Sequence, residues 1–328
     1  MARKRISTTS LVPEDNSINE MFNLEETREK KRQIGYIPSF FTTASLPFKN
    51  IHKTVFTRKG SNGVTLKLTS PNNVPFGKYG RLLLSILTTH AVISQNNNDS
   101  LMIEYASMAD LLKELQLPKQ RGKDIKEQLE CFSNAAFIFT QEKKELQAGY
   151  LFKDMYEEGD YPKQDVTVTT KSTGNIRFTE GVQYQEINDG VGKRTGHFKI
   201  ALSPEFASFC QAHAVPIDYE VYKDISSPIG KDIYAWLVYR NNGLKGQVFI
   251  PRDKFVEQFA PVSEDNTDNN SVNVRYFRLI ETLKTIKEKY YKECRVEINE
   301  DGSGITLYKS PTPVIKDDIR YALITTDL

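Results

Sequence analysis

The sequence predicts an α+β protein of two tandem winged-helix-like domains, with β-hairpin wings and a β-rich insertion between them. Two observations predict it. The order helix, short strand, short helix, longer helix, β-hairpin is legible twice, over residues 79–152 and again over 229–308. The longer helix of the second set is amphipathic and holds more positive charge than the whole chain nets. The divisions expected are a flexible N-terminal arm (1–35), a first winged-helix-like domain (36–152), an insertion or linker (153–196), a second winged-helix domain (197–313) and a C-terminal tail (314–328).

Residues 1–35 are polar and charged with little apolar periodicity, the composition of a disordered arm. Over 55–67, Ser61-Asn62-Gly63 between two β-rich runs signals a hairpin. In 79–94, Leu83, Leu84, Leu87 and Ala91 recur on one helical face. A strand over 101–106 follows. Ser107 then caps a helix carrying Leu111, Leu112 and Leu115, which Pro118 ends. The next helix, 120–135, has Ile125, Leu129 and Phe132 on its inner side. Strands 136–140 and 146–152, joined by a charged tip at 141–145, would close the unit. Residues 153–196, rich in Gly, Asp, Lys and Thr, read as an extended insertion with some strand.

The second unit opens with a helix over 229–240, with Ile233, Trp236 and Leu237 inward. A strand (248–250), a short helix (252–259) with Phe255 and Phe259 one turn apart, and a polar spacer (263–270) follow. A long helix over 271–291 places Tyr276, Leu279, Leu283, Ile286 and Tyr290 inward, with Phe277 and Ile280 alongside. Strands 295–298 and 305–308 around a turn at 299–304 form the closing hairpin.

A helix that enters the ~12 Å major groove needs an apolar inner face for anchorage and a polar, basic outer one. The 271–291 helix offers Arg275, Arg278, Thr282, Thr285 and Lys289 as a polar stripe. Over 271–295, seven bases oppose three acids, against a net charge of +2 for the chain. Asn273, Arg275, Arg278, Thr282 and Lys284 are therefore the expected DNA-binding residues, the first three reaching base edges or phosphates. The first unit's helix opens with Lys119, Arg121, Lys123 and Lys126, a weaker DNA contact or a share in dimer formation. The bland alternative for both is a solvated amphipathic helix.

Other classes find little support. The chain has 39% hydrophobic and 26% charged residues, in the globular range, and no run nears the ~18 apolar residues of a membrane span. No apolar stretch follows the basic N-terminus, so a secretory signal is not expected and a cytoplasmic setting is. Cys131, Cys210 and Cys294 are far apart and odd in number, which argues against a zinc knuckle or disulfide framework. His52, His90, His197 and His213 form neither a His-hydrophobe-His nor an H-E-x-x-H pattern. The phosphate-loop echo at 190–195 fails, because Arg194 follows Lys193 where Ser or Thr is needed and Ile187 replaces the leading Gly. No cofactor, metal or catalytic residue is expected.

Two stretches resemble the RepA-type plasmid replication initiators. One runs over 45–92, with Leu46-Pro47-Phe48 and VPFGKYGRLLLSILTTHAV. The other joins IALSPEFASF (200–209), Val215-Pro216-Ile217-Asp218 and DIYAWLVYR (232–240), then the Tyr276-Phe277 helix and Ser310–Pro313. The pieces lie within about residues 37–313. Gly80 stands where a proline would precede Arg81, His90 replaces a usual acid, and the insertion is long. The resemblance implies a non-enzyme that binds repeated sites in double-stranded DNA at a plasmid origin, helps open the duplex and recruits host helicase or polymerase factors. It implies a structural role for Asp232 to Leu237. A homodimer is one expected form, and no membrane partner is. The alternatives are a winged-helix repressor, of its own gene for instance, and a nickase.

Overall fold

The computed structural model describes residues 32–60, 63–94, 101–147, 166–188, 193–260, 272–314 and 321–324. Most of the N-terminal arm, the spacer 263–270 and parts of 153–196 and 314–328 lie outside these. The described residues form a mixed α+β structure of nine α-helices and several small sheets.

The first half is built round one helix. β1 (Arg32–Pro38) and α1 (Ser39–Thr43) precede the hairpin β2 (Val55–Lys59) and β3 (Val64–Thr69). Alternation sets the hairpin's register: Val64, Leu66 and Leu68 face the core, opposite the outward Lys67. Gly63, at φ 71°, supplies the left-handed residue the turn needs. α2 (Gly77–Ile93) is buried from residue 80 to 89 and again at Ala91. It is therefore covered all round, not on the single face its leucines suggest. Its hydroxyls are absorbed locally: Thr88 donates to Leu84 O and Thr89 to Ser85 O, both at 2.7 Å. Thr89 also accepts from the Tyr36 amide of β1 at 3.0 Å.

β4 (Met102–Tyr105), α3 (Met108–Glu114), a 3₁₀ turn (Lys119–Arg121) and α4 (Gly122–Ser133) follow in the expected order. The expected closing hairpin is corrected. Residues 141–145 are not a tip; they continue β5 (Ala136–Gln147), whose partner is β6 (Val166–Arg177) in unbroken antiparallel register. Charge marked a turn, but pairing with β6 through to Gln147↔Val166 extends the strand. β5 also pairs β3, giving the sheet β2-β3-β5-β6. The strand between the helices, β4, instead pairs β8 (Lys193–Leu202), which pairs β7 (Thr179–Asn188). The segment set apart as 153–196 thus supplies β6, β7 and the start of β8. Phe178, at the β6–β7 junction, is fully buried against Phe132, Phe137 and Phe206.

α5 (Pro204–His213) and β9 (Ala214–Asp218) lead back to β1. β1 runs antiparallel to β9 and parallel to β13 (Tyr321–Leu323), which places residues 32–35 of the expected arm in a sheet. α6 (Tyr219–Asp224) is capped by Asp218, and α7 (Pro228–Gly243) by Ser227, each accepting an amide three residues on. The second unit's remaining elements are β10 (Gln247–Pro251), α8 (Arg252–Phe259), α9 (Val272–Thr285) with a π-helical turn (Ile286–Tyr290), β11 (Val296–Ile298) and β12 (Gly304–Tyr308).

A buried polar cluster joins the halves. Arg81 of α2 donates from Nε and Nη2 to the two carboxylate oxygens of Asp232 on α7, both at 2.7 Å. Its remaining donors reach the carbonyls of Pro47, Gly77 and Leu46 at 2.7–3.0 Å. Ser45 donates to Asp232 at 2.6 Å and accepts from Arg58 at 2.8 Å. Arg58 is itself buried, and burial pulls its pKa down to about 10, against the pull of Asp232 in the other direction. Phe48 lies under both guanidinium groups. Beside Asp232, Lys231 is fully buried, with its ammonium on the carbonyls of Tyr222 and Lys223. Burial holds the Lys231 pKa well below the usual lysine value.

Removing one member of a buried pair strands the other charge, at about 3–5 kcal/mol. Asp232→Ala should lose stability of that order in urea unfolding, whereas Arg81→Met with Asp232→Leu should lose much less than the sum of the singles.

Burial raises the pKa of Tyr105, Tyr219, Tyr222, Tyr234 and Tyr291. Above pH ~10 the unfolded chain releases phenolic protons that the fold retains. Their contribution is complete below that pH and is lost as pH rises beyond it. An alkaline titration should show these tyrosinates appearing together, with loss of fold, rather than one at a time.

Candidate nucleic-acid interface

The chemistry of the candidate interface begins with how α9 is seated. Tyr276, Leu279, Ile280 and Leu283 are buried, and Ile286 continues the stripe into the π-helical turn. Beneath lies an aromatic cluster. Trp236 of α7 meets Phe255 and Phe259 of α8 at 5.9 and 5.3 Å between ring centroids, and Phe255 meets Tyr276 at 6.5 Å. Tyr276 also donates to Gly304 O at 3.0 Å, tying α9 to the first residue of β12. β10, β12 and β11 pair in that order, so the strand before α8 and the hairpin after α9 form one sheet. Gly304 is required there: a Cβ would strike Ile250 O across the β10–β12 pair.

Helix geometry then decides which side chains face out. With about 100° per residue, Arg275 and Phe277 lie on opposite flanks of the buried stripe, while Val274, Arg278, Glu281 and Thr285 lie on the far side. Arg278 and Asn273 are exposed. Thr282 is half-buried and donates to Arg278 O at 3.0 Å, and Lys284 pairs with Glu281 at 2.9 Å.

Arg275 is half-buried and donates from Nη1 to Ala260 O at 2.8 Å, closing the end of α8 onto α9. One expectation needs correction. Phe277 is not alongside the core; it is 66% exposed, the largest exposure of any large hydrophobic side chain described. The sequence signal misleads here, since Phe is core by default and a flank position beside the Tyr276–Leu283 stripe does not by itself decide between core and solvent.

In the first unit, Lys119, Arg121 and Lys123 are exposed round the start of α4. Arg121 pairs with Asp124 at 3.4 Å and stands 5.8 Å from the Tyr79 ring. Lys126 is drawn toward β7: it pairs with Glu186 at 2.8 Å and lies 4.8 Å from the Tyr184 ring. That hydrogen bond raises its pKa. The β2–β3 hairpin and the β10–α8 edge also enclose a groove of about 680 Å³, with Lys59, Arg240 and Lys254 in its walls. No sequence pattern announced it, because its walls come from both halves.

Among the described residues, no group of three His, Cys, Asp or Glu side chains is placed to hold a metal ion. No described helix is long and apolar enough to cross a membrane. Cys131, Cys210 and Cys294 are buried free thiols.

No family model matches the chain, and no curated protein matches it. Among solved structures it is similar to domains 2 and 3 of RctB. One, a selenomethionine derivative, matches with a TM-score of 0.49 and 13% identity, over 83% of this chain and 98% of that one. A second, spanning RctB residues 155–483, matches with a TM-score of 0.40 and 12% identity, over 81% and 95%. At these levels the likeness carries no argument about residues, and the interface rests on the geometry of this chain.

Arg275→Ala should cost about 1 kcal/mol of stability through the lost bond to Ala260. Asn273→Ala, at an exposed position, should stay within about 0.5 kcal/mol. Parallel denaturant melts check the difference.

Proposed function

We propose that this chain is a sequence-specific DNA-binding protein with two winged-helix-like units, acting as a replication initiator without a chemical step of its own. α9 is the helix that enters the major groove, and the β11–β12 hairpin is its wing. The observation that carries the reading is the seat of α9. Its inner stripe is anchored on an aromatic cluster and on Gly304 of the hairpin, while Arg278 and Asn273 stand outward. Arg278 is the residue assigned to a base edge, where a bidentate guanine contact gives roughly 1–3 kcal/mol of discrimination. Arg275 positions the helix. Lys119, Arg121 and Lys123 contact phosphate in the first unit, and Lys126 braces the β7–β8 hairpin.

The resemblance of 45–92 and 200–313 to the RepA-type initiators supports the more particular reading: repeated sites at a plasmid origin, duplex opening and recruitment of host helicase or polymerase factors in a bacterial cytoplasm, with a homodimer as one form. A repressor would use the same surface, so the two readings part only in function.

A duplex selected by the protein from a random pool is the substrate for the test. Binding followed by anisotropy should weaken with salt, with a log–log slope of about −0.9 per phosphate contact. Arg278→Ala should bind the selected duplex at least tenfold more weakly and melt like the parent. Equal affinity for selected and scrambled duplexes would reject the assignment. A replicon that depends on this gene in trans separates initiator from repressor.

A further inference from the structure

The outer face of α9 holds an apolar patch that the guanidinium and amide contacts above do not use. Phe277 is 66% exposed, and Val274, one turn before it on the same side, is 39% exposed. Val272, at the helix start, is 37% exposed. Asn273 and Arg278 border the patch, and the Glu281 carboxylate, one turn beyond Phe277, is held by Lys284 at 2.9 Å. The major groove presents one apolar group, the C5-methyl of thymine, and phenylalanine is among the side chains suited to meet it.

We propose that Phe277, with Val274 beside it, reads thymine methyl groups, so that the site bound by α9 carries thymine next to the base pair contacted by Arg278. This rests on the DNA-binding reading and gives that interface a second, apolar element of specificity. Two features favour a base over a second protein. The patch is small: three such side chains leave on the order of 250 Å² uncovered, against roughly 800 Å² per partner in a stable protein interface. It also lies on a convex helical face within a segment of positive excess, which complements the phosphate walls of a groove. Phe277 stands beside Tyr276, the first residue of the buried stripe Tyr276, Leu279, Ile280 and Leu283 that seats the helix.

The test uses the full chain and a duplex it selects from a random pool, with each thymine replaced in turn by deoxyuridine, which removes only the methyl. At one or two positions the parent should lose about three- to fivefold in affinity per methyl. Phe277→Ala should bind the thymine duplex about tenfold more weakly and bind thymine and uracil forms alike, with an unchanged melting profile. Specific binding that no uracil substitution alters overturns the proposal and leaves the DNA-binding reading intact. Failure to bind any duplex specifically overturns both. A dimer that Phe277→Ala dissociates, with binding indifferent to uracil, assigns the ring to a second copy instead and likewise overturns the proposal. If Phe277→Ala melts early, Phe277→Gln, a good helix former that presents no apolar ring to the methyl, supplies the same comparison.

Discussion

The ion pair between Arg81 and Asp232 is the constraint on which the arrangement of the two halves depends. A buried carboxylate faces two buried guanidinium groups, and each member comes from a different part of the chain: Arg58 from the first hairpin, Arg81 from the central helix, Asp232 from α7. Such a cluster gives little net stability over an apolar replacement. Its effect is on geometry, because a bidentate pair tolerates one approach of two helices and not its neighbours. α7 is also the floor of the aromatic seat under α9. The angle at which the second unit presents its outer helix is thus tied, through α7, to the position of Arg81 in the first.

Charge on this molecule is used in two ways. Cations near the core are consumed by structure: Arg58 and Arg81 in the cluster, Lys231 on the end of α6, Arg275 on the end of α8. Other cations, Arg278, Lys119, Arg121 and Lys123, lie exposed on outward helical faces. A net charge of +2 conceals this division, since a census of residues counts both kinds alike. The outer face of α9 is also not purely basic: Asn273, Val274 and Phe277 are exposed on it with Arg278.

Local pattern carried much of the fold. Period-3.6 stripes located α2, α4, α7, α8 and α9, and turn chemistry located the β2–β3 and β11–β12 hairpins. It failed where a long-range partner decides. The charged residues 141–145 signal a turn in isolation, yet a strand more than twenty residues away completes their ladder. β4 has no local feature that selects β8 over β5. The candidate interface was legible to the same degree. The helix and the outward place of Arg278 followed from spacing, whereas the bond from Arg275 to Ala260, across the α8–α9 connection, did not.

The sequence by itself determined α2, α3, α4, α7, α8 and α9, the inner stripe of α9 and the concentration of cations along it, because these depend on residues three and four apart. Only the tertiary structure decided that Arg81 meets Asp232, that 166–202 completes the first unit's sheets, and that Arg275 turns inward while Phe277 turns out. The physical reason is common to all three: each is settled by which distant surface lies opposite, and backbone and side-chain groups leave water only when that surface can satisfy them.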